Sequence, residues 1–264
     1  MKTHLNTLLK SSLQYSTAAV ILSAPVTTLL ASAVAVPFNA PPVSAPGNRE
    51  SGASRSDSCA MTLDDMGLTA VIPETNVGLT TQGLPSLFAY VPANNAERAE
   101  FWLFEAETGN EVYAGQVSLP EADSTTEYRY GPSVMGFSVP KTESTVTLEP
   151  GKNYLWTLML VCNAENRAED IVVTGVVQQP DAAYLEVLSP TVRDQLSSLD
   201  GVPPAEQLTV YGEAGVWHDL LATLAVLATD DPAVYQDDWS DLLNAQGLGA
   251  IANYPIVFTE VEPF

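Results

Sequence analysis

Between residues 59 and 180, short runs of apolar or alternating residues are separated by turn chemistry, and beyond Pro180 the apolar spacing becomes helical. The first part predicts strands over residues 68–72, 87–91, 101–105, 111–119, 136–139, 154–161 and 171–177. Pro73, Pro92, ETGN before Glu111, EPGKN before Tyr154 and NAENRAED before Ile171 supply the breaks. Strands joined by turns, with no helical period between them, predict an antiparallel β-sandwich over 59–180. The second part predicts four helices. Ser189 stands at an N-cap with Pro190 at the first helical position of SPTVRDQLSSL. PPAEQLTVYGEAG, VWHDLLATLAVLATDDP and PAVYQDDWSDLLNAQGLG follow; Pro232 opens the last and Gly247 or Gly249 ends it. The expected class is α+β, with a helical segment over 181–264 packed on the sandwich.

Two motifs refine the pattern. In LEPGKNYLWTLMLVC, Leu148, Pro150, Gly151 and Tyr154 have the spacing of a tyrosine corner, as in fibronectin type III and immunoglobulin-like domains. There the hydroxyl bonds back to the preceding turn, and strand alternation would set Trp156, Leu158 and Leu160 on one face. Leu208, Tyr211, Gly215, Trp217, Leu220, Leu224, Leu227 and Pro232 match the spacing of one tetratricopeptide unit. Leu220 and Leu227 stand where that repeat has alanines, and the flanking helices do not continue the period. A single unit cannot bury its own face, so the expectation is a hairpin that Tyr211, Trp217 and Trp239 cement to a neighbouring surface.

The N-terminal end changes the setting. Lys2 and Lys10 precede a run of small apolar residues from Ala18 ending in ASA and AVA, the order of a secretory signal peptide over 1–35. Proline, glycine and serine dominate 36–58, the composition of a flexible linker. The expected location is therefore exported, periplasmic or extracellular. In such a compartment Cys59 and Cys162, the only cysteines, are most simply one disulfide.

Charge narrows the partners. Thirty-two acids against ten bases give a net charge of −22. Loss of residues 1–35 removes two lysines and no acid, leaving −24. Arg193 is the sole basic residue after Arg167. Nucleic acid and anionic membrane surfaces both need a basic footprint, so neither is an expected partner. No run after the signal segment is long and apolar enough to span a bilayer.

Catalytic routes are few. His218 is the only histidine after the signal segment, with no G-x-S-x-G beside it, and zinc lacks a nitrogen and sulfur ligand set. No phosphate loop or dinucleotide fingerprint is present. Carboxylates remain: Asp230, Asp231, Asp237, Asp238 and Asp241 form a candidate partner face or, with lower weight, a calcium site. Asp231 before Pro232 also reads as a helix N-cap. Glu74, Thr75 and Asn76 read as a side-chain-bonded turn between two pieces of edge strand.

Taken in order, LTAVIPETNVGLTTQGLPSLFAYVP, EFWLFEAETGNEVYAGQVSLP, LEPGKNYLWTLMLVCN, YGEAGVWHDLLATLAVL and WSDLL closely resemble the cyanobacterial family known as domain of unknown function 928, over residues 59–252. The resemblance implies an exported protein of this two-part architecture and no catalytic residue. The expected function is a non-enzymatic interaction or assembly module of the cell envelope, without cofactor, whose partner is another envelope protein. A carboxylate-dependent envelope hydrolase and a calcium-dependent adhesin are the alternatives. Two acids with raised pKa in a deep pocket would favour the first, convergent oxygens the second, and a flat apolar patch with a polar rim a protein partner.

Overall fold

The structure, a computed structural model, describes residues 36–51, 59–60, 66–140 and 147–264; the signal-peptide expectation over 1–35 lies outside them. Nine strands form one mixed sheet: β1 (Thr69–Ala70), β2 (Val77–Leu79), β3 (Leu87–Val91), β4 (Arg98–Glu105), β5 (Glu111–Val117), β6 (Ser133–Ser138), β7 (Asn153–Val161), β8 (Ile171–Gln178) and β9 (Ile256–Pro263). Their spatial order is β1-β3-β6-β9-β5-β4-β7-β8-β2. Five helices lie between β8 and β9: α1 (Ala182–Val187), α2 (Pro190–Leu196), α3 (Pro204–Glu213), α4 (Trp217–Asp230) and α5 (Pro232–Ala245).

Alternation along the strands sends one set of side chains into a core on the inner face of the curled sheet. Ala99, Phe101 and Leu103 of β4 face inward, as do Tyr154, Trp156, Leu158 and Leu160 of β7. They meet Met135 and Phe137 of β6, with Phe101 and Trp156 packed 5.4 and 5.8 Å from the Phe137 ring. Each such burial contributes about 1.5–3 kcal/mol. Every residue of β3 is buried, because Leu87, Ala89 and Val91 enter this core while Phe88 and Tyr90 face a second core beneath the helices. The disulfide Cys59–Cys162 is formed, with Cα atoms 5.4 Å apart. The Tyr154 hydroxyl accepts a hydrogen bond from the Glu149 amide at 3.1 Å, tying the turn before β7 to its first residues.

Three expectations are corrected. The sheet is not purely antiparallel: β6–β9 and β2–β8 are parallel pairs. Alternation specifies which face a residue occupies but not the direction of its neighbour. The segment after residue 180 is not helical throughout, because β9 returns to the sheet between β6 and β5 and joins its two halves. Residues 36–51 are not a free tether either: Val36, Phe38, Val43 and Ala45 pack on the helical core, and the Asn39 amide donates to the Gly212 carbonyl at 2.9 Å.

The helices close the curl. β1 and β2 end the strand order, and an open edge invites non-native pairing; residues 49–51 cover β1, the Ser51 amide donating to the Leu68 carbonyl at 2.8 Å and the Ala70 amide to the Arg49 carbonyl at 2.6 Å. Gly215, at φ +67°, turns the chain sharply between α3 and α4; a side chain there would strike the Asn39 carbonyl and the Tyr184 hydroxyl. α4 then buries Leu220, Leu221, Leu224, Ala225 and Ala228 as a helical stripe. Ser189 caps α2 by accepting from the Val192 amide, and Asp181 caps α1 by accepting from Tyr184. Asp231 occupies the N-cap of α5 but its side chain makes no capping bond.

Candidate functional site

The first turn of α4 bridges the two edges of the sheet. Trp217, completely buried, donates from Nε1 to the carbonyl of Val71 just past β1 at 2.9 Å. Asp219 accepts from the Thr81 amide and hydroxyl, just past β2, at 2.9 and 2.7 Å, and from the Gln82 side-chain amide at 3.3 Å. Between them His218 is fully buried with its Nε2 edge against Gly78 of β2. Burial pushes its pKa down to about 3, so the ring is neutral. Among the described residues neither ring nitrogen has a hydrogen-bond partner. Leu208, Tyr211, Leu220, Leu224 and Trp239 lie in the same core, and Leu227 packs at its margin.

A cleft of about 530 Å³ opens between this turn, the segment after β2 and the end of β6, lined among others by Ser86, Ser138, Tyr211, Asp219 and Glu260. Its chemistry is limited. Burial raises the Asp219 pKa, against the lowering effect of its hydrogen bonds, and those bonds occupy both oxygens. Glu260 is exposed. The Tyr211 hydroxyl donates to Gln207 Oε1 at 3.2 Å, and its pKa is raised by burial. His218 and Asp219 both line the cleft, but burial keeps the imidazole neutral and Thr81 with Gln82 holds the carboxylate in place.

The carboxylates singled out in the sequence do not converge. Asp230, Asp231, Asp237 and Asp241 are exposed at the α4–α5 corner and along α5. Asp238 is buried, its pKa raised by burial and then by Asp241 and Asp237. Among the described residues no three His, Cys, Asp or Glu side chains gather to hold a metal ion. Glu74–Asn76 form a turn in which Asn76, at φ 61°, donates from its side chain to the carbonyls of Ala45 and Gly47.

A surface that sequence reasoning did not single out lies on the outer face of β4. Trp102 and Phe104 project there as partly exposed rings 6.1 Å apart with planes 1° from parallel, and Phe264 lies 5.5 Å from Trp102 and is 67% exposed. Ion pairs flank the row. Lys152 bridges Glu105 and Glu149 at 2.9 and 3.0 Å, while Arg98 and Arg167 each hold Glu100 at 2.7 Å. Although burial opposes it, those two guanidinium groups lower the Glu100 pKa. The signal was the alternation FWLFE, which sends two aromatic residues to the face opposite Phe101 and Leu103.

No helix among the described residues is long and apolar enough to cross a membrane. No curated protein and no solved structure matches the chain significantly. One family model does match, over residues 50–256, which include β1 to β8, all five helices, the disulfide and the aromatic row but for Phe264. The chain belongs to the family described as Domain of Unknown Function (DUF928).

Proposed function

We propose that this chain is an exported, non-enzymatic interaction module of the cell envelope that binds a protein partner through the outer face of β4, β5 and β9. The observation that carries this reading is the row of Trp102, Phe104 and Phe264, partly open to solvent and flanked by ion pairs. Aromatic residues dominate the energetics of protein interfaces, and polar rims exclude water from such anchors. The large side chains of the helical hairpin go to the core rather than to a surface, so the tetratricopeptide-like and sandwich features belong to the scaffold. A neutral, fully buried His218 and an Asp219 engaged by Thr81 and Gln82 weigh against the hydrolase alternative.

The test is capture from envelope extract, with the full chain as bait, in parallel with Trp102→Ser/Phe104→Ser and with Asp237→Asn/Asp241→Asn. The expected result is a discrete species held by the wild type and the aspartate variant and lost from the aromatic variant. Equal capture by all three, or loss only from the aspartate variant, overturns this assignment of the surface.

A further inference from the structure

A second pocket, of about 260 Å³, lies where the ends of β2 and β8 meet α1 and α2. Pro180, Leu185 and Leu196 give it apolar walls, Thr80, Thr81 and Ser197 add hydroxyl-bearing side chains, and Arg193 of α2 lines it. Arg193 is unusual for this chain. Arg49 donates to the Ile72 carbonyl, Arg98 and Arg167 hold Glu100, Lys152 bridges two glutamates and Arg129 lies over the Tyr130 ring. Among the described residues, Arg193 is the one cation whose head group meets no carboxylate, carbonyl or ring, in a sequence with thirty-two acids.

We propose that the Arg193 pocket is a binding site for a carboxylate with an apolar tail, received head-first on the guanidinium. A planar guanidinium presents paired donors that match the two oxygens of a carboxylate. The leucine and proline walls would cover a short hydrocarbon body, and the volume lies just under the range of about 300–1,000 Å³ for drug-sized ligands. The strongly negative chain disfavours a multiply charged anion more than a single carboxylate. The same head group is presented by a free small acid and by the C-terminus of a peptide ending in an apolar residue. This site is independent of the aromatic row, so failure of one leaves the other standing.

The test is a titration of the isotopically labelled full chain, followed by amide chemical shifts, with four probes: hexanoate, methyl hexanoate, an acetylated tripeptide ending in leucine with a free carboxylate, and inorganic phosphate. Saturable shifts at Leu185, Leu196 and Ser197 are expected from hexanoate, from the peptide or from both, and the pattern identifies the source. Arg193→Gln is expected to weaken that binding about tenfold or more, as loss of a charge-assisted contact requires, with no change in the thermal midpoint. Arg193→Lys is expected to fall between. Absence of saturable shifts from both carboxylates, equal binding by Arg193→Gln, or equal response to methyl hexanoate or phosphate overturns the proposal.

Discussion

Trp217 donates its indole N–H to the carbonyl of Val71, 146 residues earlier in the chain, at 2.9 Å in a fully buried setting. This bond fastens the first turn of α4 to the chain leaving β1. Leaving a buried carbonyl unpaired costs about 1–3 kcal/mol, so Trp217→Phe is expected to lower stability by at least that much in urea unfolding. A loss under about 0.5 kcal/mol, the level of ordinary surface substitutions, would contradict the role given to this contact.

Gly78 and His218 make a second point of closure. A Cβ at residue 78 would lie 2.7 Å from His218 Cδ2 and closer still to Nε2, with the ring fully buried. Gly78→Ala is expected to destabilise by about 1–3 kcal/mol through overpacking. In a double-mutant cycle with His218→Ala, the alanine at residue 78 should become nearly neutral; additive effects would show that the ring is not what residue 78 meets.

The same histidine predicts an acid sensitivity. Its folded pKa is about 3 and its ordinary value is 6.5, so below pH 6.5 the unfolded chain takes up a proton that the folded chain refuses. Stability contributed by the neutral ring is complete above that value and is progressively lost toward pH 3, by about 2 kcal/mol at pH 5. Glu100 has a lowered pKa and loses its contribution only below its own ordinary value of 4.5, so the window from 6.5 to 4.5 belongs to His218 rather than to that carboxylate. Asp219 works in the opposite sense, because a raised pKa makes the folded state bind its proton first. Urea midpoints between pH 7 and 4.5 should fall for the wild type and fall less steeply for His218→Leu; parallel slopes would place the titration elsewhere.

The disulfide offers a check on the scaffold. Cys59 and Cys162 are 103 residues apart, and closing a loop of that size is worth about 4–5 kcal/mol in the chain-entropy model. Cys59→Ser/Cys162→Ser should lose stability of that order in urea unfolding, whereas a change under about 1 kcal/mol would mean that the unfolded chain is already constrained.

Much of this scaffold is legible in the chain. Turn residues and alternation mark β3, β4, β5, β7 and β8, and Ser189 with Pro190 marks the start of α2. β2 is legible only as a piece of edge strand after the turn at Glu74–Asn76, because three residues, VGL, carry too short a period to give it bounds, and α1 is missed because six residues make less than two turns. β9 is missed because its alternation of apolar residues with Thr259, Glu260 and Glu262 stands alone after the helices, with nothing in sequence to say that it pairs between β6 and β5. The contacts of Trp217 with Val71 and of Asp219 with Thr81 join residues 146 and 138 positions apart, which no local pattern can report. The aromatic row was half visible in FWLFE, but its third member, Phe264, reaches Trp102 only through the placement of β9.

Binding through the aromatic row is tested most directly by photo-crosslinking in intact cells, with a benzophenone amino acid placed at position 102 in one chain and at position 237 in another. A discrete adduct from position 102 and none from position 237 is the predicted result. An adduct from position 237 alone would contradict it and return the partner to the acidic face of α5.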